Sequence, residues 1–333
     1  MNQIVQANAI RPVLPRDTGL DPDDPASVFV LLAQGQAEGL SGALITITEI
    51  TGGAPRALGA QMAVLSDGRY CGYVSGGCVE AAVAGEAMRA MAAGHDETLR
   101  FGTGSPFIDI KLPCGGSIDV HVHVRPSPAM VAQARTMLAA RAPFAIAFRP
   151  ADETARLVPG STPRERSEWR EGAFYRHYHP LTRLLLIGEG HEITALSNLA
   201  RSTGLPVDAY LTAEAGAEAI AAHGATITHI AGADLPELPV DPFSAIVFVL
   251  HDRFKEGRLL GAALGYDPFY IGALGSRRTH AARVAGLAAD GLAEDRIARL
   301  RGPIGLYGPT RTASALAVSV LGEIMDERMR LDG

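Results

Sequence analysis

The strongest constraint on the fold lies in the second half of the chain, where two short runs are dominated by apolar residues. They span residues 181–187 and 245–250, and neither alternates between apolar and polar positions as a half-exposed strand does. Helical patterns and turns that contain glycine separate them from three further strand candidates, at residues 207–211, 226–230 and 269–271. Buried strands that alternate with helices predict a Rossmann-like, doubly wound parallel sheet.

The first half of the chain has a different pattern. Apolar and polar residues alternate at 43–49 and at 117–124, an Asp67-Gly68 hairpin turn lies between them, and an alanine-rich helix is expected at 79–93. Antiparallel strands together with helices predict a mixed α+β domain. We therefore expect an α/β protein with three parts: a flexible leader at 1–24, an N-terminal domain at 25–180 and a Rossmann-like domain at 181–333.

Composition narrows the possible partners and the compartment. With 30 Lys+Arg and 36 Asp+Glu the net charge is -6, which argues against nucleic acid as a partner. No run of about 18 apolar residues predicts a membrane helix. The three cysteines are too few, and odd in number, for a disulfide framework, so we expect a cytoplasmic protein.

The 37 glycines concentrate in six short loops at element boundaries, three of them in the first half. In the first, Gly52 and Gly53 allow close backbone approach and Arg56 offers a partner for phosphate or carboxylate; the alternative is an ordinary connection with an incidental arginine. In the second, Ser75, Gly76 and Gly77 lead into a helix. Such a turn forms an anion cradle, unless Glu80 simply caps the first turn itself.

Two cysteines lie in these loops. Cys78 is expected in the first turn of the helix, where the helix field favours a thiolate, although a small buried residue is the alternative. In the third loop, Cys114 precedes Gly115 and Gly116, and a loop thiol is a candidate ligand. No Cys-x2-Cys pair exists, so a zinc site is not expected.

The His121–His123 and His177–His179 pairs are compatible with metal binding, but the polar face of a strand is the more ordinary interpretation.

The second half carries the other three loops, the last of them at 302–309. Gly188, Gly190 and His191 follow a strand and open a helix, as in a dinucleotide fingerprint, but Ile193 replaces the third glycine and no clear acidic residue follows the second strand. An NAD(P)-dependent oxidoreductase is therefore the alternative function. A second anion site is expected at the carboxyl edge of the sheet. It consists of Gly275, Ser276, Arg277 and Arg278, with His251 at the same edge. The alternative is that Ser276 only caps a helix that carries surface arginines.

These loops together resemble the XdhC/CoxI family, the accessory proteins of xanthine dehydrogenase and related molybdenum hydroxylases. The resemblance covers about residues 26–325. The matching segments are Gly52-Gly-Ala-Pro-Arg56, Ser75-Gly-Gly-Cys-Val-Glu80, Leu112-Pro-Cys-Gly-Gly116, Gly188-x-Gly-His191, His251-Asp252, Tyr270-Ile-Gly-Ala-Leu-Gly-Ser-Arg-Arg-Thr279 and Pro303-Ile-Gly-Leu306.

The resemblance implies a chaperone rather than a catalyst. Such a protein binds the molybdenum cofactor (molybdopterin), protects it, assists its sulfuration with a cysteine desulfurase and delivers it to an apo-molybdenum hydroxylase, and a homodimer is expected. Arg56, Cys78 and Cys114 are the residues expected to hold the cofactor, with the two thiols as candidate molybdenum contacts. The second anion site would hold its phosphate or a nucleotide. A docking partner of the hydroxylase without working pockets is a further alternative.

The chain departs from the family pattern at three places, all expected around the Rossmann crevice. They are Ile193, the Tyr210-Leu-Thr212 end of the second strand, and residues 307–312. These departures weaken the expectation of a nucleotide in that crevice and leave the loops of the first half unaffected.

Overall fold

The structure is a computed structural model that describes residues 18, 20, 21, 24–77, 79–105 and 115–332. The chain divides into two compact units, Met1–His179 and Pro180–Gly333, and each is described by itself below. No helix among the described residues has both the length and the apolar character that a membrane crossing requires.

The described residues of unit 1 form three α-helices and two antiparallel sheets. The helices are α1 (Pro25–Ala37), α2 (Glu80–Ala93) and α3 (Pro128–Ala139). One sheet has the order β3-β2-β1-β5-β4, and its strands are β1 (Gly42–Thr51), β2 (Gln61–Leu65), β3 (Tyr70–Gly72), β4 (Glu97–Gly102) and β5 (Ser117–Val124). The other has the order β7-β6-β9-β8, from β6 (Phe144–Arg149), β7 (Thr154–Pro159), β8 (Glu168–Arg170) and β9 (Ala173–Tyr178).

Local sequence signals explain where these helices begin and end. Asp24 caps α1 by accepting the Ala26 N–H, and Pro25 follows at the first position, where a missing N–H costs nothing. Ser127 caps α3 in the same way. Gly94 ends α2 in a left-handed conformation at φ 84. The helix predicted at 79–93 is therefore close to α2 in the structure.

The five-stranded sheet is buried on both faces. The alternating residues Ile118, Val120 and Val122 of β5 pack with α2 on one face. On the other face Leu44 and Leu65 join residues of α1, α3 and the four-stranded sheet. This second layer explains why polar positions of β5 are also buried, which the alternation in the sequence does not predict.

Unit 2 is a six-stranded parallel sheet with helices. Its strands are β10 (Arg183–Gly188), β11 (Val207–Leu211), β12 (Thr226–His229), β13 (Ser244–Val249), β14 (Tyr270–Ala273) and β15 (Leu300–Arg301). Its helices are α4 (Gly190–Ser202), α5 (Ala217–Ala221), α6 (Arg253–Ala263), α7 (Arg277–Ala289), α8 (Glu294–Ile297) and α9 (Ala313–Asp332).

The strand order of this sheet is β12-β11-β10-β13-β14-β15, and every pairing is parallel. Counted within the unit, this is the 3-2-1-4-5-6 order of the Rossmann fold. The predicted fold class is confirmed. The order reverses between β10 and β13, where doubly wound proteins bind their ligands beyond the carboxyl ends of the strands.

Candidate functional site

The three glycine loops of unit 1 lie at one end of the five-stranded sheet. β1 ends there at Thr51 and β5 begins there at Ser117, its partner in the antiparallel register. β3 runs in the same direction as β1, because both pair antiparallel with β2. Its end at Gly72 therefore delivers the second loop to the same end. The topology thus brings together three loops that the sequence only places at separate boundaries.

The first and third loops are in direct backbone contact. A Cβ added to Gly116 would lie 2.1 Å from the Gly53 carbonyl oxygen and 2.6 Å from that of Thr51. Thr103, at the end of β4, joins the contact by donating its Oγ1 hydroxyl to the Gly115 carbonyl at 3.1 Å. Gly116 is thus explained by chain packing, with or without a ligand.

The second loop is wrapped around the side chain of Glu80. Its carboxylate, in a residue only 2% exposed, accepts five backbone N–H groups, those of Val74, Ser75, Gly76, Gly77 and Val79. It also accepts the Ser75 hydroxyl at 2.8 Å. The expected anion cradle therefore exists, but the chain's own carboxylate fills it. The N–H groups of Ser75, Gly76 and Gly77 are not available to an external phosphate.

Open space remains beside three glycines of this end. Gly76, Gly77 and Gly115 have φ values of +82, +109 and +72, and a Cβ added to any of them would meet no atom of the described residues within 4 Å. The conformation of the turn, rather than crowding, calls for glycine there. Arg56 is half-buried in the first loop. Cys78 and Cys114 lie outside the described residues, and Cys71 is a buried thiol whose pKa is raised by burial.

The crevice of unit 2 carries carboxylates where a dinucleotide fold binds phosphate. Glu189 stands between Gly188 and Gly190 and accepts the Thr212 hydroxyl at 2.7 Å. Glu192 lies in the first turn of α4, and its Oε2 is 3.8 Å from Nε2 of the exposed His251. His191 is exposed. Two acidic side chains at the helix N-terminus compete with a phosphate for the positive end of the helix.

Gly188 and Ile193 have packing roles in this crevice. A Cβ on Gly188 would lie 1.9 Å from the Val249 carbonyl oxygen, because the ends of β10 and β13 approach closely. Ile193 is 1% exposed and belongs to the apolar core between α4 and the sheet. Both residues are thus accounted for by the fold alone.

At the end of β14, Ser276 accepts the Thr279 N–H at 3.1 Å and so caps α7. Behind the turn, Arg283 pairs with Glu256 and donates to the Leu274 carbonyl, both at 2.8 Å, which holds the Gly275 segment in place. Arg277 and Arg278 are exposed. The arrangement matches a capped helix with surface arginines, one of the two alternatives, and a phosphate role for this turn stays a prediction.

His121 and His123 lie on one face of β5, as the alternation predicts, but this polar face is buried. They are 1% and 7% exposed, because the four-stranded sheet covers them and the Phe148 ring lies edge-on to both. Their partner, Asp96, is not apparent from the sequence. Burial opposes ionisation of Asp96, but its two neighbouring histidines and the hydrogen bond from the Val124 N–H hold its pKa well below the ordinary range. His177 and His179 instead lie 2.7 and 3.2 Å from the Ser161 hydroxyl.

The fold and the loops define a class: an α/β protein with a Rossmann unit and an N-terminal unit whose glycine loops meet at one sheet end. Residues 184–324 match the XdhC Rossmann domain, and residues 35–102 match the XdhC and CoxI family. The molybdenum cofactor insertion chaperone PaoD of Escherichia coli (strain K12) is 36% identical over 307 residues, 92% of this chain and 90% of that protein. The chain belongs to the XdhC and CoxI family.

Two further comparisons are more distant. The uncharacterized protein YqeB of Escherichia coli (strain K12) is 24% identical over 315 residues, which cover 92% of this chain and 47% of that protein. A crystal structure from Bacillus halodurans, described as a xanthine dehydrogenase, has a TM-score of 0.70 and 19% identity. It covers 91% of this chain and 96% of that one, and the likeness concerns the fold.

Proposed function

We propose that this protein binds the molybdenum cofactor and delivers it to an apo-molybdenum hydroxylase of the xanthine dehydrogenase type. The observation that carries the proposal is the 36% identity to a molybdenum cofactor insertion chaperone over 92% of the chain. Identity of this extent covers both units, so it supports a shared role better than the Rossmann fold alone does.

The binding face of this proposal is the end of the five-stranded sheet where the glycine loops of unit 1 meet. The cofactor is a pterin dithiolene that carries phosphate, and it needs an anion contact and room for a flat ring. Because Glu80 uses the N–H groups of the second loop, we assign the anion contact to Arg56. The open sides of Gly76, Gly77 and Gly115 supply accessible surface. Cys78 and Cys114 are proposed as soft ligands near molybdenum.

The test is titration of the purified full chain with molybdopterin, followed by pterin fluorescence. We expect Arg56→Ala to weaken binding by about tenfold, the effect of losing one charge-assisted contact of about 1.4 kcal/mol. Arg135→Ala, on the exposed side of α3, is the matched control and should change nothing. Unchanged affinity in Arg56→Ala would remove Arg56 from the site, and no pterin binding by the unmodified chain would end the proposal.

The thiol role has its own test. Cys114→Ala should weaken retention of the cofactor through expression and purification, because a thiolate is a good ligand for a soft metal centre. Full retention by the double variant Cys78→Ala, Cys114→Ala would refute the thiol role and leave the rest of the proposal standing.

The proposed role includes assisted sulfuration of the cofactor by a cysteine desulfurase, and a homodimer as the working state. Co-purification of tagged protein with a desulfurase, with and without molybdopterin, tests the first. Light scattering at several protein concentrations tests the second. If the tagged protein captures the hydroxylase equally well with and without molybdopterin, the protein would be a docking partner and not a carrier.

The alternative of an NAD(P)-dependent oxidoreductase receives no support from the geometry of the crevice. Glu189 and Glu192 place negative charge at the N-terminus of α4, and the second strand, β11, ends in Leu211 and Thr212 without a carboxylate for a ribose. We expect neither NAD nor NADP to bind at micromolar concentration. Tight NADH binding without pterin binding would reverse the choice.

A further inference from the structure

Three side chains of unit 1 form a buried cluster that the proposed function does not use. β4 and β5 pair antiparallel with Glu97 opposite Val122 and Thr98 opposite His121. Asp96, one residue before Glu97, therefore lies beside His123 at the edge of this pairing. His121 and His123 point away from α2, so the strand itself directs both rings and the carboxylate to the same side of the sheet.

The two rings converge on one oxygen of Asp96. Nδ1 of His123 lies 2.7 Å from Asp96 Oδ2, and Nε2 of His121 lies 3.4 Å from the same atom. The other oxygen, Oδ1, accepts the Val124 N–H at 2.9 Å, which holds the carboxylate in this orientation. Within the described ranges this is the one group of three such ligand residues whose ligand atoms all lie within 4.8 Å of one another.

The contacts with Asp96 do not satisfy all of these groups. Nε2 of His121 is buried and has no hydrogen-bond partner, since its 3.4 Å approach to Asp96 lacks hydrogen-bond geometry. An unsatisfied buried nitrogen is costly, and native structures rarely keep one without a reason. The opposite nitrogen of the same ring, Nδ1, faces the Thr98 hydroxyl at 3.4 Å, so that Nε2 points into the cluster.

We propose that Asp96, His121 and His123 bind a divalent transition-metal ion of the zinc or iron(II) type. Two imidazole nitrogens and one carboxylate oxygen suit such ions, whereas magnesium and calcium prefer oxygen alone. A zinc ion about 2.1 Å from tetrahedral ligands keeps them about 3.4 Å apart, so on binding the Asp96–His123 pair would widen slightly from 2.7 Å, and a fourth ligand position would stay open. The ion would tie the segment before β4 to β5. Asp96 precedes β4 at the end of the β4–β5 pair opposite Ser117, so the cluster is separate from the sheet end where the glycine loops meet.

The test uses equilibrium dialysis of the full chain against zinc, followed by elemental analysis. The background is Cys78→Ala, Cys114→Ala, so that loop thiols do not contribute. We expect about one zinc per chain, lost in Asp96→Asn and in His121→Gln, and a higher melting temperature with zinc than without. Asp96→Asn keeps an oxygen for the Val124 N–H. His177→Gln, in the histidine pair that faces Ser161, is the matched control and should bind zinc normally.

If Asp96→Asn and His121→Gln fold poorly, a measurement on the chain with Asp96, His121 and His123 intact still tests the proposal. Cobalt(II) should produce the visible absorption of a low-coordinate site without a thiolate charge-transfer band, because all three ligands are nitrogen or oxygen. Thr98→Val should weaken binding by about 10–100-fold, as loss of a ligand-orienting contact does. Absence of stoichiometric binding, or binding that survives both Asp96→Asn and His121→Gln, overturns the proposal.

Discussion

Glu80 shows how one side chain can occupy a site that the neighbouring backbone forms. A glycine-rich turn before a helix exposes several N–H groups, and these attract any anion within reach. Here the first residue of α2 supplies the carboxylate, and five N–H groups and one hydroxyl converge on it. The turn is therefore a pre-shaped structural element, and its exposed glycines lie on the outside of a satisfied network.

Glu80→Gln tests this network. The amide would place an N–H group against N–H donors of the turn, so we expect the free energy of unfolding to fall by about 2–3 kcal/mol. Urea denaturation measures the loss. Glu218→Gln changes an exposed carboxylate in the first turn of α5 and serves as the control, with little expected effect. Equal losses in the two variants would show that the network contributes no more than a surface charge.

The burial of His177 predicts that the stability of unit 1 depends on pH. Burial lowers its pKa below the ordinary 6.5, with Arg170 and Arg176 acting in the same direction and Glu165 against it. Below pH 6.5 the unfolded chain then binds a proton that the folded chain does not. The stability therefore falls as the pH is lowered from about 6.5 to the pKa of the folded state. His177→Gln should lessen the loss of unfolding free energy between about pH 7.5 and 5.5 in urea titrations. His223→Gln, an exposed histidine, should leave the slope unchanged.

At the level of elements, two strand ends depend on glycine for close backbone approach. Gly116 lets β5 begin against the carbonyls of Thr51 and Gly53, and Gly188 lets β10 end against that of Val249. Both glycines stand in loops that the sequence predicts to bind a ligand. Their neighbours are backbone atoms, which cannot move aside as a flexible side chain can, so the loops keep their shape without a ligand.

Gly116→Ala tests this crowding. Because Gly116 does not have a left-handed φ, the only cost is steric, and we expect a loss of about 1–3 kcal/mol from overpacking. Gly286→Ala, in α7 with open space beside it, should instead stabilise by about 0.5–1 kcal/mol through helix propensity. Denaturant midpoints of both variants decide the matter. A neutral or stabilising effect of Gly116→Ala would contradict the close contact.

Elements with a strong periodicity could be predicted from sequence, and elements set by tertiary contacts could not. The two apolar runs correctly indicated β10 and β13, because strands buried on both faces leave no other composition. β7 and β8 cannot be predicted in this way; β8, for example, is exposed at all three residues and has no pattern to detect. Asp96 was missed because only the register of β4 against β5 brings it to His123.

At the scale of the whole molecule, each described cluster of buried apolar side chains belongs to one unit. Two clusters lie within residues 20–178 and two within residues 184–325. The chain has one tryptophan, Trp169, in unit 1, where its Nε1–H donates to the Thr48 carbonyl at 2.9 Å and its ring contacts Phe174. Tryptophan fluorescence therefore reports on unit 1, whereas far-UV circular dichroism reports on both units.

Separate cores predict separate unfolding transitions. In urea, Glu80→Gln should lower the midpoint seen by fluorescence. Gly188→Ala places a Cβ 1.9 Å from the Val249 carbonyl oxygen in unit 2. It should shift the unit 2 part of the dichroism transition and leave the fluorescence transition of Trp169 unchanged. Transitions that fail to coincide between two probes are the sign of more than one cooperative unit. If Gly188→Ala moves the Trp169 signal as far as the dichroism signal, the chain unfolds as one unit, and single-site stability changes in either half act on the whole protein.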